Sequence, residues 1–192
     1  MLLMNIDIVI VNWNSGKLLY ECVDSIITNG GYSVSKIIVV DNKSTDNSFE
    51  LIKEFTSVKF IQAKKNLGFG RACNLGAKHS DSEFILFLNP DTRIYPDTLQ
   101  KVLTFMLSKE NSKVGICGVQ LHNESGEIAR SNSRFPSFKG ILSHSMGLSK
   151  VFPILGNKMT EWDHLSTKKV DQVIGAFFFE KGQILRRLEN YL

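Results

Sequence analysis

This chain lacks the marks of several protein classes. It has three cysteines. Cys22, Cys73 and Cys117 lie far apart in apolar surroundings, with no CxxC pair and no metal-ligand spacing. That excludes a disulfide framework and reads as buried, reduced thiols of a cytoplasmic protein. His79, His122, His144 and His164 share no ligand spacing, and GxSxG and GxxxxGK[ST] are absent, so neither a serine-hydrolase elbow nor a P-loop is indicated. Met1-Leu2-Leu3-Met4 has neither the basic start nor the long apolar stretch of a signal peptide. No apolar run approaches the ~20 residues that span a bilayer; the longest, 173–179, is far too short. Charge of one sign is also scarce. The net charge is +4 and the Lys and Arg residues are scattered, so no nucleic-acid footprint is drawn. A weakly basic face still favours anionic ligands or lipid headgroups.

What remains is an ordinary globular composition, 43% hydrophobic and 22% charged over 192 residues, enough for one domain with a sizeable core. Strand and helix patterns alternate through the first two-thirds. Residues 6–11, 36–40, 58–62 and 84–88 read as strands. Residues 17–28, 71–79 and 97–108 read as helices, and a short helix ends near Phe55. Gly30-Gly31 closes the first helix. Asp46 or Asn47 caps the short one, with Glu50 placed for a capping box. Residues 114–121 predict a further strand, 121–130 a hairpin about Glu124-Ser125-Gly126, and 170–179 a strand broken at Gly175-Ala176. Residues 131–168 are irregular, with Phe135, Phe138, Phe152 and Trp162 interspersed, as in a mobile substrate-side segment. Residues 182–192 read as an amphipathic helix. Repeated βα units with short loops predict a mostly parallel sheet with helices on both faces.

Two strands end on acids. Phe84-Ile85-Leu86-Phe87-Leu88 runs into Asn89-Pro90-Asp91, and proline cannot continue a ladder. Ile37-Ile38-Val39-Val40 runs into Asp41-Asn42-Lys43-Ser44-Thr45-Asp46. Open α/β sheets bind ligands at such carboxyl ends. A hard divalent cation takes one or two protein carboxylates and completes its shell with phosphates and water. Asp91 suits that role, with Asn89 two residues before it, although Asn-Pro-Asp-Thr is also a good turn sequence. Asp41 suits the N3–H of uracil or thymine, with Asn42 and Ser44 beside it; a satisfied turn carboxylate is the plain alternative. In Asn66-Leu67-Gly68-Phe69-Gly70-Arg71-Ala72-Cys73-Asn74 the glycines let backbone approach a ligand, the helix start favours an anion, and Arg71 can pair with a pyrophosphate. The same segment also reads as a tight strand-to-helix turn. Trp13 and Trp162 can stack on a base or sugar ring, or pack. Phe177-Phe178-Phe179 reads as core.

In series, Val9-Ile10-Val11-Asn12-Trp13-Asn14, Val39 to Asp46, Asn66 to Gly70 with Asn74, Leu88-Asn89-Pro90-Asp91 and Val173 to Phe179 resemble a family 2 glycosyltransferase of the GT-A fold, most like bacterial rhamnosyltransferases. The resemblance implies a UDP- or dTDP-sugar donor, Mg²⁺ or Mn²⁺, a glycan or lipid-linked acceptor, inversion of configuration, and peripheral work at the inner membrane face. It places Asp41 and Ser44 at the base, Val11 and Asn14 in the nucleoside wall, and Asn66, Gly68 and Asn74 near ribose and diphosphate; Asn12, Phe69 and Arg71 are further donor-binding candidates. Asn89 and Asp91 match a variant DXD motif, with Asp91 the metal ligand. Residues 1–120 are then the nucleotide-sugar-binding half and 121–192 an incomplete acceptor-side half of a single domain. The acidic base that the family carries after this strand has no match here, and Glu180 and Glu189 do not stand in its place. Donor binding with weak or absent transfer is therefore expected of this chain. The alternatives are a non-catalytic nucleotide-sugar-binding protein and a sugar-1-phosphate nucleotidyltransferase. The latter needs a glycine-rich basic loop where Asn12-Trp13-Asn14-Ser15 stands.

Overall fold

The computed structural model describes residues 5–129, 132–136, 159 and 162–184. Contacts divide the chain into two compact units, residues 1–117 with 175–192, and residues 118–174.

The first unit is built on β1 (Ile6–Asn12), β2 (Val34–Asp41), β3 (Val58–Gln62), β4 (Phe84–Leu88), β5 (Ile116–Cys117) and β8 (Phe177–Lys181), in the spatial order β3-β2-β1-β4-β8-β5. The helices are α1 (Gly16–Asn29), α2 (Ser48–Ile52), α3 (Phe69–Ala77) and α4 (Thr98–Leu107). β1 pairs in parallel with both β2 and β4, β2 with β3, and β8 runs antiparallel between β4 and β5. This is the mixed, mostly parallel α/β sheet that the alternating pattern predicts.

β1 is buried along its whole length because it lies between two strands and under helices on both faces, which is why its run is continuously apolar rather than alternating. The return from β3 to β4 travels along the sheet opposite to the first two steps. Right-handed crossovers therefore put α3 on one face and α1 and α2 on the other. Val9, Val11, Ile38, Val40, Ile85 and Phe87 pack with Ala72, Cys73 and Ala77 of α3. A Cβ at Gly76 would overlap Val9 Cγ1 and lie 3.1 Å from Val40 Cγ2, so only glycine lets α3 approach this closely.

Three expectations need correction. The strand over 114–121 shrinks to Ile116–Cys117. It sits at the sheet margin, where pairing with β8 covers only two residues, and Gly115 and Gly118 flank it. The strand over 170–179 is displaced to Phe177–Lys181, because the register that pairs Leu88 with Phe177 also pairs Phe84 with Lys181. Before it, Gln172 makes only an isolated bridge to Ser133. The capping box does not form either. Asn47 is the N-cap but makes no side-chain bond. Asp46 instead accepts from the Ser48 amide at 3.2 Å, and Glu50 pairs with Lys53.

The second unit carries a short hairpin, β6 (Leu121–His122) against β7 (Ile128–Ala129). It turns through Gly126 at φ +79°, as the Glu124-Ser125-Gly126 signal predicts. Trp162 stacks on His164 with ring centroids 4.1 Å apart. Residues 182–184 are helical; the remainder of the tail helix expected over 182–192, most of the irregular stretch 131–168, Phe138, His144 and Phe152 lie outside the described residues. No helix among the described residues is long and apolar enough to cross a membrane. Cys22 and Cys73 are buried, Cys117 is half-buried, and all three are free thiols. Burial pushes the Cys22 thiol up to about 12 and that of Cys73 up to about 11, so both are inert.

Candidate functional site

β2 and β4 flank β1 in parallel, so their carboxyl ends emerge at one edge of the sheet, a single strand apart. The strand order reverses between β1 and β4, which is where open α/β sheets form a ligand crevice. A cleft of about 250 Å³ opens there, lined by Val11, Trp13, Ser15, Asn42, Asn66, Gly68, Phe69 and Pro90. Its floor thus joins the neighbours of both acids, Asn42 after Asp41 and Pro90 before Asp91.

The acids differ in setting. Asp41 ends β2 beside Asn12 in register and is 3% exposed. One oxygen accepts from Asn12 Nδ2 at 3.0 Å and the other from the Ser44 amide at 3.2 Å. Asn12 is fully buried and reaches the site only through its neighbours, donating also to Ser44 Oγ at 3.0 Å. Ser44 Oγ in turn accepts from the Asn14 amide at 2.9 Å, and Asn14 Oδ1 accepts from the Thr45 amide at 2.7 Å. Asn14 and Lys43 hold positive φ, 53° and 69°. Asparagine tolerates that conformation, whereas at Lys43 it stores strain that the surrounding hydrogen bonds must hold.

Asp46 fastens the same two loops lower down. It accepts from the Gly16 amide at 2.9 Å and from the Ser48 amide and hydroxyl. Burial opposes its ionisation, but these donors outweigh burial and hold its carboxyl below the usual carboxylate range.

On the other face, Asn42 orders the glycine loop. Its Nδ2 donates to Asn66 Oδ1 at 3.1 Å, its Oδ1 accepts from the Leu67 amide at 2.7 Å, and Asn66 Oδ1 accepts from the Gly68 amide at 2.9 Å. Gly68 has φ +77° with open space around it, so the loop turns into α3 with bare backbone facing the cleft. Arg71 is exposed in the first turn of α3. Asn74 lies a turn deeper, half-buried, and does not line the cleft.

Asp91 is exposed at the apex of the turn after β4. The Thr92 amide donates to Asn89 O at 3.1 Å, so the predicted turn forms. Among the described residues, the Asp91 carboxylate meets only Thr92 Oγ1, at 3.5 Å. Its charge reaches the buried Cys22 thiol, where it adds to the effect of burial. No group of three or more His, Cys, Asp or Glu side chains among the described residues could enclose a metal. The fit is therefore to a cation held by one carboxylate, with a half-buried Asn89 nearby and a ligand's phosphates completing the shell. Asp91 would hold Mg²⁺ or Mn²⁺ in that manner.

Sequence reasoning left Trp13 open between stacking and packing. Trp13 is 59% exposed and Phe69 is 52% exposed, both on the cleft, so the cleft carries exposed aromatic surface. Ser15 lines the cleft as well and was not foreseen; its position after Asn14 was the only signal. Glu180 pairs with Ile85 in the body of the sheet, away from the carboxyl ends that form the cleft.

Residues 7–168 match the model of glycosyl transferase family 2. A poly(ribitol-phosphate) beta-glucosyltransferase of Bacillus spizizenii is 36% identical over 114 residues, 56% of this chain and 18% of that protein. The poly(ribitol-phosphate) beta-N-acetylglucosaminyltransferase TarP of Staphylococcus aureus is 28% identical over 118 residues, 59% of this chain and 36% of that protein. Among solved structures, S. aureus TarS 1–349 superposes with a TM-score of 0.63 at 16% identity, covering 97% of this chain and 49% of that one. The mannosyltransferase PcManGT of Pyrobaculum calidifontis, in complex with GDP-Man and Mn²⁺, also gives 0.63 at 16% identity, covering 96% and 46%. These structures share the GT-A fold with this chain, which spans less than half the length of the relatives it matches.

Proposed function

Because the chain belongs to glycosyl transferase family 2, we propose that it binds a UDP- or dTDP-sugar in the cleft above β1 and passes the sugar, with inversion, to a glycan or lipid-linked saccharide. The setting is the cytoplasmic face of a cell membrane, and the sugar that the resemblance suggests is rhamnose. The observation that supports this most is the meeting of Asn42 and Pro90 on one cleft. It joins the residue that follows a buried, hydrogen-bonded carboxylate, Asp41, to the residue that precedes an exposed one, Asp91.

The roles follow from those settings. Asp41 accepts the imide N–H of the pyrimidine, its geometry fixed beforehand by Asn12 and Ser44. Val11 and Asn14 shape the wall, and Trp13 and Phe69 offer ring faces. Asn66 and the bare backbone at Gly68 approach the ribose and diphosphate, and Arg71 pairs with phosphate oxygens. Asp91, with Asn89, would hold Mg²⁺ or Mn²⁺, and such a cation would supply charge neutralisation for a departing diphosphate. A positioned base normally takes the acceptor's proton. Among the described residues, those that line the cleft include no carboxylate and no histidine, which favours a second reading, binding of the donor without transfer. A donor and acceptor panel read by mass spectrometry separates the two.

Calorimetry with UDP and dTDP, with and without Mn²⁺, tests the binding itself. Asp91→Ala should abolish the Mn²⁺-dependent gain in affinity, a loss of at least about tenfold, or 1.4 kcal/mol. Uridine or thymidine affinity should stay unchanged. Equal losses for nucleoside and diphosphate would contradict the role given to Asp91.

A further inference from the structure

Four side chains on one face of α1, Glu21, Cys22, Ser25 and Asn29, grip the turn that carries Asp91. Ser25 is 8% exposed. Its hydroxyl donates to its own helix at Cys22 O, at 2.7 Å, which leaves its lone pairs free to accept from the Ile94 amide at 3.1 Å. Asn29 Nδ2 donates to Ile94 O at 3.0 Å. The N–H and C=O of a buried residue three positions beyond Asp91 are therefore both held by α1. At the other foot of the turn, the Asn89 amide donates to Ala176 O at 3.1 Å, and Asn89 O accepts from the Cys22 thiol at 3.5 Å. Outside, Arg93 pairs with Glu21 at 3.4 Å. The feet are fastened, while at the apex the Asp91 carboxylate is exposed.

An amphipathic helix buries apolar groups on its inner face. A hydroxyl and an amide aimed from that face at the backbone of one loop residue have a geometric effect beyond packing. A metal-ligating carboxylate must be held within about 0.5 Å of its working position. We infer that Ser25, with Asn29, is a positioning residue for Asp91: it sets the height of the turn so that the carboxylate meets a cation shared with the ligand's diphosphate. The inference rests on the metal role proposed above for Asp91.

The test compares wild type, Ser25→Ala, Ser25→Thr and Asn29→Ala. Each is titrated calorimetrically with UDP and dTDP, with and without Mn²⁺, and with the bare nucleosides. Ser25→Ala should cut the Mn²⁺-dependent gain about 10–100-fold, the usual cost of losing an outer-shell partner. Nucleoside affinity, which also reports folding, should not change. Ser25→Thr keeps the hydroxyl and should restore the gain. Asn29→Ala should act in the same direction, and amide exchange at Ile94 should quicken in Ser25→Ala while that of β1 stays slow. A full Mn²⁺-dependent gain in Ser25→Ala overturns the positioning role alone. No gain in the wild type overturns the metal reading of Asp91, and this inference with it.

Discussion

Both oxygens of Asp41 accept hydrogen bonds from within the chain, yet a carboxylate has about four lone-pair sites, so a ligand donor can join without displacing either. Asn12, Ser44 and Asp46 were legible as polar residues near a site. Their division of labour was not, because it depends on which strands become neighbours. Glu180 is a residue the sequence misplaced. The sequence ends the strand at 179, just before it, but it lies inside β8, 3% exposed, with Oε1 lacking a partner among the described residues. Burial pushes its carboxyl from 4.5 up to about 7. The folded state therefore prefers the protonated form: stability is fullest below about pH 4.5 and is lost as pH rises through about 7. At about 1.4 kcal/mol per pH unit, the loss is of order 3 kcal/mol. Glu180→Gln should remove that slope. In urea unfolding, the variant should gain roughly 1–3 kcal/mol over wild type between pH 5 and pH 8. Parallel stability curves would show that the carboxyl is solvated.

Two helices do most to place the site. α1 touches both loops: its first amide, at Gly16, donates to Asp46 of the loop after β2 and to Ser48 at the start of α2, while Ser25 and Asn29 hold the loop after β4. Its apolar stripe was plain in the sequence. The polar grip was not, since a periodicity of apolar residues says nothing about which backbone a buried serine will meet. α3 lies against β1 and β2 through Gly76. In a free helix, alanine there would gain about 1 kcal/mol over glycine. Here Val9 is buried and cannot retreat, and overpacking costs about 1–3 kcal/mol. Gly76→Ala should thus lower the unfolding free energy by up to about 2 kcal/mol. A stabilised variant would show that α3 can lift away. Strands β3 and β4 came out of the sequence with correct ends because turn residues bound them sharply. β5 and β8 did not, because two-residue margins and antiparallel registers are set by partners far away in the chain.

At the scale of the molecule, the order of apolar runs and acidic stops was enough to predict a parallel sheet with a cleft at its carboxyl edge. The runs were long, uninterrupted and separated by lengths that fit crossover helices, and right-handedness leaves few ways to connect them. The sequence could not give the reversal of strand order between β1 and β4, on which the site depends. That reversal sets Asp41 and Asp91 on either side of β1 rather than strands apart. The central claim is that these two acids serve one ligand. A crystal structure of the chain grown with UDP and Mn²⁺ tests it most directly. The account predicts uracil hydrogen-bonded to the Asp41 carboxylate, and Mn²⁺ ligated by Asp91 and by the diphosphate of the same molecule. Nucleotide bound away from the cleft, or a cation that bridges the diphosphate without Asp91, would contradict it.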